Sequence, residues 1–164
     1  YDPFWVEDPV RSDVVDGLAH VAADTPLRIA AGETVSGVRG FLPLLASHAL
    51  GVVTVDTSWS GGLTTAHKVA AVADAYGIPV APHDCTGPVA LAACVQLATA
   101  APNTLVQETV RAAYFGWYDS LVEGGPVVED GTIRAGGEPG LGVRLLPDLD
   151  TRAGTTVRTS RHDG

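Results

Sequence analysis

The sequence contains no methionine, only two cysteines and few basic side chains. Its 164 residues include 10 Lys and Arg against 19 Asp and Glu, so the formal net charge is −9. Such an acidic chain is poorly suited to bind nucleic acids or anionic membranes. Cys85 and Cys94 make neither a disulfide framework nor a zinc-ribbon pattern, and we expect both to be buried free thiols in a reducing cytoplasm.

Long apolar runs are absent as well. No stretch reaches the roughly 18 apolar residues of a membrane span, and no signal-peptide pattern opens the sequence, so we expect a cytoplasmic protein. The apolar run Phe4-Trp5-Val6 begins almost at the first residue, and no Met precedes it. We therefore expect this sequence to be the C-terminal portion of a longer protein.

Hydrophobic residues make up 46% of the chain and charged residues 18%, as is typical of a globular domain. Short apolar runs alternate with longer amphipathic stretches, which predicts an α/β fold with parallel strands joined by helices. The predicted strands are 4–6, 27–31, 52–55, 78–81 and 104–106. The predicted helices are 13–22, 38–49, 64–76 and 88–99.

The pattern changes after Glu108, where glycine-rich turns separate short β-type runs. The dipeptide Asp130-Gly131 lies between two such runs and predicts a hairpin. Short strands are predicted near 127–129, 132–134 and 143–145. We therefore expect three regions, which are an α/β unit over 1–123, a β-rich segment over 124–150 and a polar tail over 151–164.

One ionisable side chain follows each predicted strand. These strand-end residues are Glu7, Glu33, Asp56, His83 and Glu108, and they succeed one another every 23 to 27 residues. The C-terminal ends of the strands in a closed parallel barrel meet at one mouth, where such enzymes keep their catalytic groups. The spacing therefore predicts that all five side chains face one pocket.

Four acids and a histidine in one pocket repel each other unless a cation or a proton relieves them. Oxygen-only ligands such as Glu7 and Glu33 suit a hard ion, and Mg²⁺ leaves room for water and substrate. Asp56 and His83 are then free for proton transfer, since an Asp bonded to one imidazole nitrogen raises the basicity of the other. The alternative for any single carboxylate is a helix N-cap or a solvated loop residue.

At this point the sequence resembles the mandelate racemase and muconate lactonizing enzyme branch of the enolase superfamily. Within that branch it is most similar to acid-sugar dehydratases such as galactonate dehydratase. The resemblance covers about residues 4–145. Its motifs are Trp5-Val6-Glu7-Asp8-Pro9, Ala31-Gly32-Glu33, Val55-Asp56 followed by Ser60-Gly61-Gly62, Gly77-Ile78-Pro79-Val80-Ala81-Pro82-His83, Leu105-Val106-Gln107-Glu108 and Gly140-Leu141-Gly142.

The resemblance implies a role for each strand-end residue. Glu7 and Glu33 match carboxylate ligands of Mg²⁺, and His83 matches the base or acid on the seventh strand of the family's barrel. Asp56 matches the partner of that histidine, and Glu108 matches the carboxylic acid that hydrogen-bonds the enolate. To donate that bond Glu108 has to be protonated, so its pKa should be raised.

The resemblance also implies the architecture. The chain corresponds to the C-terminal half of a TIM-type (β/α)7β barrel, and the segment 124–150 to the part that returns to an N-terminal lid domain. The family's first metal ligand, an Asp on the third strand, and a lysine on the second strand have no counterpart here. Weaker candidates for substrate binding are Trp59, Asp84 and Thr86, although the last two are also placed to cap the next helix.

The implied activity is that of a lyase, a Mg²⁺-dependent dehydratase of aldonates or aldarates. It removes the α-proton, stabilises the enolate and eliminates water from the next carbon. The alternatives are a racemase or epimerase of an α-hydroxy acid on the same scaffold, and a non-catalytic half-barrel. The implied partner is a small carboxylate substrate, with no nucleic acid or membrane, in a homo-oligomer of even order.

Overall fold

A computed structural model of the chain describes residues 1–160, so positions 161–164 of the expected polar tail lie outside the described residues. Three short strands pair in parallel in the order β1-β2-β3. Val6 pairs with Ile29, and Ala30 pairs with Val52. The bounds are Val6–Glu7 for β1, Ile29–Ala31 for β2 and Val52–Val53 for β3.

The fourth and fifth predicted strands add to the same parallel order as single bridges. Val53 bridges Val80, and Val80 bridges Thr104. The prediction of regular strands over 78–81 and 104–106 is therefore wrong in extent. The physical reason is Pro82, which lacks the N–H that the next bridge to the fifth strand needs. We call these the fourth strand segment (78–83) and the fifth strand segment (104–108).

The four predicted helices are confirmed within two or three residues at most ends. Two additional short helices, α3 and α6, were not predicted. In chain order the helices are α1 Val15–Asp24, α2 Gly37–Ala46, α3 Thr57–Ser60, α4 Leu63–Ala75, α5 Pro88–Ala100 and α6 Arg111–Tyr114. Among residues 1–160, none of these helices combines the length and apolar character that crossing a bilayer requires.

The two faces of the parallel sheet have different neighbours. One face packs against the helices in the main core, where Ile29, Val53 and Phe41 are almost fully buried. The opposite face forms a second cluster made only of strand residues, one from each of the five strands. This helix-free cluster contains Trp5, Ala30, Val52, Ala81 and Leu105.

The C-terminal part is antiparallel, as the glycine-rich turns predicted. Strands β5 (Val127–Glu129) and β6 (Thr132–Arg134) form the expected hairpin, with positive φ at both Asp130 and Gly131. Strand β4 (Val122–Gly124) was not predicted. It pairs with β7 (Val143–Leu145), so the predicted boundary after residue 123 falls inside a strand.

Gly32 connects β2 to Glu33 and leaves no room for a side chain. Its φ is +130°, and a Cβ built there would lie 2.9 Å from the Phe41 ring. Phe41 is fully buried in the main core, so the ring has little freedom to move away. Gly32 therefore lets the chain turn over Phe41 and present Glu33 at the strand end.

We predict that Gly32→Ala destabilises the protein by about 2–4 kcal/mol, because it adds backbone strain and a core clash. Gly131→Ala is the matched control, since Gly131 also has positive φ but nothing lies within 4 Å of its added Cβ. Gly131→Ala should lower the free energy of unfolding by only about 1 kcal/mol. Urea unfolding of both variants measures the difference, and equal losses would contradict the clash.

Candidate active site at the ends of the parallel strands

Side-chain alternation explains how three of the five strand-end residues come to the same face of the sheet. Residues two positions apart on a strand point to the same face. Glu7 is two residues beyond Trp5, and His83 is two residues beyond Ala81, both members of the helix-free cluster. Asp56 follows Val52 by four residues, so it too continues that face. The apolar cluster thus forms a floor beneath these ionisable groups.

His83 lies between two carboxylates. Its Nδ1 is 3.1 Å from Asp56 Oδ2, and its Nε2 is 2.9 Å from Glu33 Oε2. The imidazole is 12% exposed, Glu33 is 31% exposed and Asp56 is fully buried. Nδ1 makes a hydrogen bond with Asp56, whereas Nε2 and Glu33 form an ion-pair contact. Two adjacent carboxylates favour the doubly protonated imidazole.

The two carboxyl oxygens of Asp56 have separate partners. Oδ1 accepts from the backbone N–H groups of Ser58 at 2.6 Å and Trp59 at 3.3 Å, which caps α3. Oδ2 binds the His83 ring. The N-cap alternative and the predicted histidine partner therefore describe the same side chain, and the cap fixes the carboxylate that orients the imidazole.

The pKa values of His83 and Asp56 are shifted in opposite directions. Burial alone would lower the pKa of His83, but the hydrogen bond to Asp56 and the charges of Glu33 and Glu108 outweigh it and raise the pKa. Burial alone would raise the pKa of Asp56, but the bonds from His83, Ser58 and Trp59 hold it below its usual value. The pair is thus stabilised as imidazolium and carboxylate.

Glu7 and Glu108 each have a buried oxygen, Oε1, with no protein partner. Burial, followed by the charge of Glu7, raises the pKa of Glu108 to about 7, with further contributions from Glu33 and Asp84. Burial also raises the pKa of Glu7, and the Glu33 charge adds to this, although the Trp5 indole opposes it. The two orphan oxygens need a proton, a cation or a ligand.

The donor set suits a hard divalent ion. Glu7 and Glu33 supply only oxygen, and the unpartnered Glu7 Oε1 lies close enough to Glu33 for their charges to interact. Within residues 1–160, however, no group of three His, Cys, Asp or Glu side chains is assembled into a metal site. These two carboxylates therefore fit part of a coordination sphere, and Glu33 is engaged by His83 instead.

The weaker candidates occupy different positions. Trp59 is 52% exposed beside the pocket, and the Thr86 hydroxyl lies 3.5 Å from Asp56 Oδ2. Asp84 is only 2% exposed and bonds to other protein groups, a position that does not favour the predicted contact with a substrate. The expected capping role of Asp84 and Thr86 is wrong, because α5 begins after Gly87 with no side-chain cap.

Two further contacts support the site and were missed from the sequence. The Trp5 indole N–H donates to Glu7 Oε2 at 3.2 Å. The Cys94 thiol, whose pKa burial raises to about 11, donates to the His83 carbonyl at 3.3 Å. Cys94 is buried as expected, but Cys85 is exposed in the loop before α5, so that prediction is wrong for Cys85.

Comparison with known proteins places the chain in a family. A family model described as enolase C-terminal domain-like matches residues 1–149. A D-xylonate dehydratase from Haloferax volcanii is 37% identical over 150 residues, covering 92% of this chain and 36% of that protein. A D-galactonate dehydratase from Variovorax paradoxus is 36% identical over 148 residues, covering 87% of this chain and 39% of that protein.

Comparison with solved structures leads to the same family. An enolase of the mandelate racemase subgroup from Agrobacterium tumefaciens is 46% identical with a TM-score of 0.83, covering 90% of this chain and 40% of that chain. An enolase protein from the Sargasso Sea environmental genome is 42% identical with a TM-score of 0.87. The match covers 94% of this chain and 41% of that chain. The chain thus spans about two fifths of the length of these relatives. The predicted resemblance is confirmed, and the chain belongs to the enolase C-terminal domain-like family.

Proposed function

We propose that this chain carries part of the active site of a Mg²⁺-dependent acid-sugar dehydratase, a lyase that acts on aldonates or aldarates. In this proposal the parallel strands belong to the C-terminal half of a (β/α)7β barrel. Relatives named D-xylonate and D-galactonate dehydratase, each over 30% identical across most of this chain, support the proposal. The predicted cytoplasmic location and even-order oligomer stay predictions.

The observation that carries the proposal is the Asp56–His83 hydrogen bond. Asp56 Oδ2 holds the Nδ1 side of the ring at 3.1 Å, which leaves Nε2 directed toward the carboxylates of the pocket. A neutral imidazole oriented in this way accepts a proton at Nε2, and the negative Asp56 stabilises the imidazolium that forms. His83 would therefore exchange the proton on the carbon next to the substrate carboxylate.

That carbon acid is weak, so negative charge must be stabilised as the proton leaves. Glu108 fits this task because its pKa of about 7 keeps a substantial protonated fraction near neutral pH. Its unpartnered Oε1 provides a carboxylic acid proton or lone pair for a substrate oxygen. A protonated Glu108 would donate a hydrogen bond to the developing enolate oxygen.

Glu7 and Glu33 would hold the metal ion, together with ligands from outside this chain or from water. When bound, Mg²⁺ supplies Lewis-acid stabilisation of the substrate carboxylate. With Glu33 engaged as a metal ligand, His83 Nε2 would be free for proton transfer. Loss of the hydroxyl from the next carbon then needs a general acid, and protonated His83 can serve if it faces that group.

Acid-sugar turnover tests this proposal directly. The full-length protein should convert at least one member of an aldonate and aldarate panel to a 2-keto-3-deoxy acid in the presence of Mg²⁺, detected as its semicarbazone. Exchange of the α-hydrogen with deuterated solvent without loss of water would favour the racemase instead. If neither dehydration nor exchange occurs with metal bound, the chain is a non-catalytic relative.

We predict that His83→Asn lowers kcat by about 10²- to 10⁴-fold, because it removes the proton acceptor. Mg²⁺ affinity, measured by calorimetry, should be nearly unchanged, since His83 is not assigned to the metal. His67→Asn is the matched control, because His67 is exposed on α4, and it should retain full activity. Loss of Mg²⁺ binding in the His83 variant would mean that His83 belongs to the metal site.

Glu108 makes a pH-dependent contribution to stability in the metal-free protein. Its pKa is raised from 4.5 to about 7. Below about pH 4.5 the protonated Glu108 carboxyl makes its full contribution to the free energy of unfolding. This contribution is lost as the pH rises through 7. At pH 8 the native protein therefore holds an unfavourable buried charge that the unfolded chain does not.

We predict that Glu108→Gln gains stability relative to the wild type between pH 5 and pH 8, by about 1–3 kcal/mol after allowing for solvent screening. The gain arises because the amide carries no charge to bury. Urea unfolding of the full-length protein in chelator measures it at both pH values. Glu123→Gln is the control on an exposed strand position, and a pH-independent difference for the Glu108 variant would refute the raised pKa.

A further inference from the structure

Asp84 is a buried carboxylate directly after His83 in the chain, with only 2% of its surface exposed. A buried carboxylate is costly unless hydrogen bonds satisfy it. Thr109 Oγ1 donates to Asp84 Oδ2 at 3.1 Å. The Tyr118 hydroxyl lies 3.4 Å from Oδ1 and 3.3 Å from Oδ2. Both oxygens therefore have protein partners.

Backbone pairing of the fourth and fifth strand segments ends just before Asp84 and Thr109. The last ladder bonds between the fourth and fifth strand segments are Leu105 N–H to Val80 O at 2.8 Å and Glu108 N–H to Pro82 O at 3.2 Å. Pro82 cannot donate a return bond. Beyond it, the Asp84–Thr109 bond continues the connection with side chains, and it does so one residue past His83 and one residue past Glu108.

We propose that Asp84 is a positioning residue that clamps the loop after His83 to the loop after Glu108 and to Tyr118. The clamp keeps the imidazole and the Glu108 carboxyl at a fixed separation, and the catalytic part of this inference rests on the proposed function. Asp84 is almost fully buried and its carboxylate is occupied by Thr109 and Tyr118, so it is not presented to a substrate. The structure assigns Asp84 to support rather than to substrate contact.

The chemistry of the two donors suits a permanent clamp. Burial and the adjacent Asp84 charge raise the pKa of Tyr118, so its hydroxyl keeps the proton that it donates. The Thr109 hydroxyl does not titrate in the range where proteins work. Tyr118 is itself buried and packs in a cluster with Leu91 and Val95 of α5. The clamp therefore also ties both loops to α5.

Thr109→Val and Tyr118→Phe test the clamp, because each removes one donor and keeps nearly the same volume. We expect each variant to lower kcat about 10- to 100-fold, since small misplacements of catalytic groups are costly, with little change in KM. Thr109→Ser should restore most of kcat. Tyr114→Phe is the matched control, because the Tyr114 hydroxyl bonds Pro126 and Val128 of the hairpin region and not Asp84.

Hydrogen exchange by mass spectrometry provides a readout that does not need turnover. In the full-length protein, Thr109→Val should speed amide exchange in residues 83–86, and Asp84→Asn should speed it in residues 108–110, with β2 unchanged. If both loops exchange faster in these variants but the full-length protein has no dehydratase activity, the clamp is supported and only the proposed function is rejected. Unchanged exchange, unchanged kcat, or a rise in KM alone would overturn the clamp.

Discussion

Parallel pairing brings the C-terminal ends of the strands to one edge of a sheet, and every other property of this site depends on that geometry. Because the bridges run from Val6 to Ile29, Ala30 to Val52, Val53 to Val80 and Val80 to Thr104, five chain segments end side by side. Each segment adds one ionisable group. The helix-free cluster below them is apolar, so these groups cannot spread into water on that side.

This concentration of charge explains the protonation pattern. Glu7, Glu33, Asp56 and Glu108 cannot all be ionised cheaply when they lie this close together at the strand ends. The chain responds by holding His83 between two carboxylates, which raises the pKa of the imidazole, and by raising the pKa of Glu108. A divalent cation would satisfy the same imbalance, so under the proposed function proton transfer and metal binding would be coupled.

Much of this could be predicted from sequence, because strand–helix alternation and the residue after each strand are local patterns. The five strand-end residues, the four longer helices and the Asp130-Gly131 hairpin followed from such patterns. The pairing of β4 with β7 and the contacts of Tyr118 and Cys94 did not, because they join residues far apart in the chain. The burial of Asp84 was missed for the same reason, since nothing near position 84 indicates Thr109 as its partner.

The separate roles of the two Asp56 carboxylate oxygens have an evolutionary consequence. One oxygen caps α3 and the other orients His83, so folding and chemistry both select for the same carboxylate. Under the proposed function, a descendant that lost the activity would still benefit from the cap and would be under pressure to keep an aspartate there. The side chains of His83 and Glu108 do not cap a helix or otherwise support secondary structure in this way. Among related sequences, their loss would therefore indicate a change of chemistry much earlier than any change at position 56.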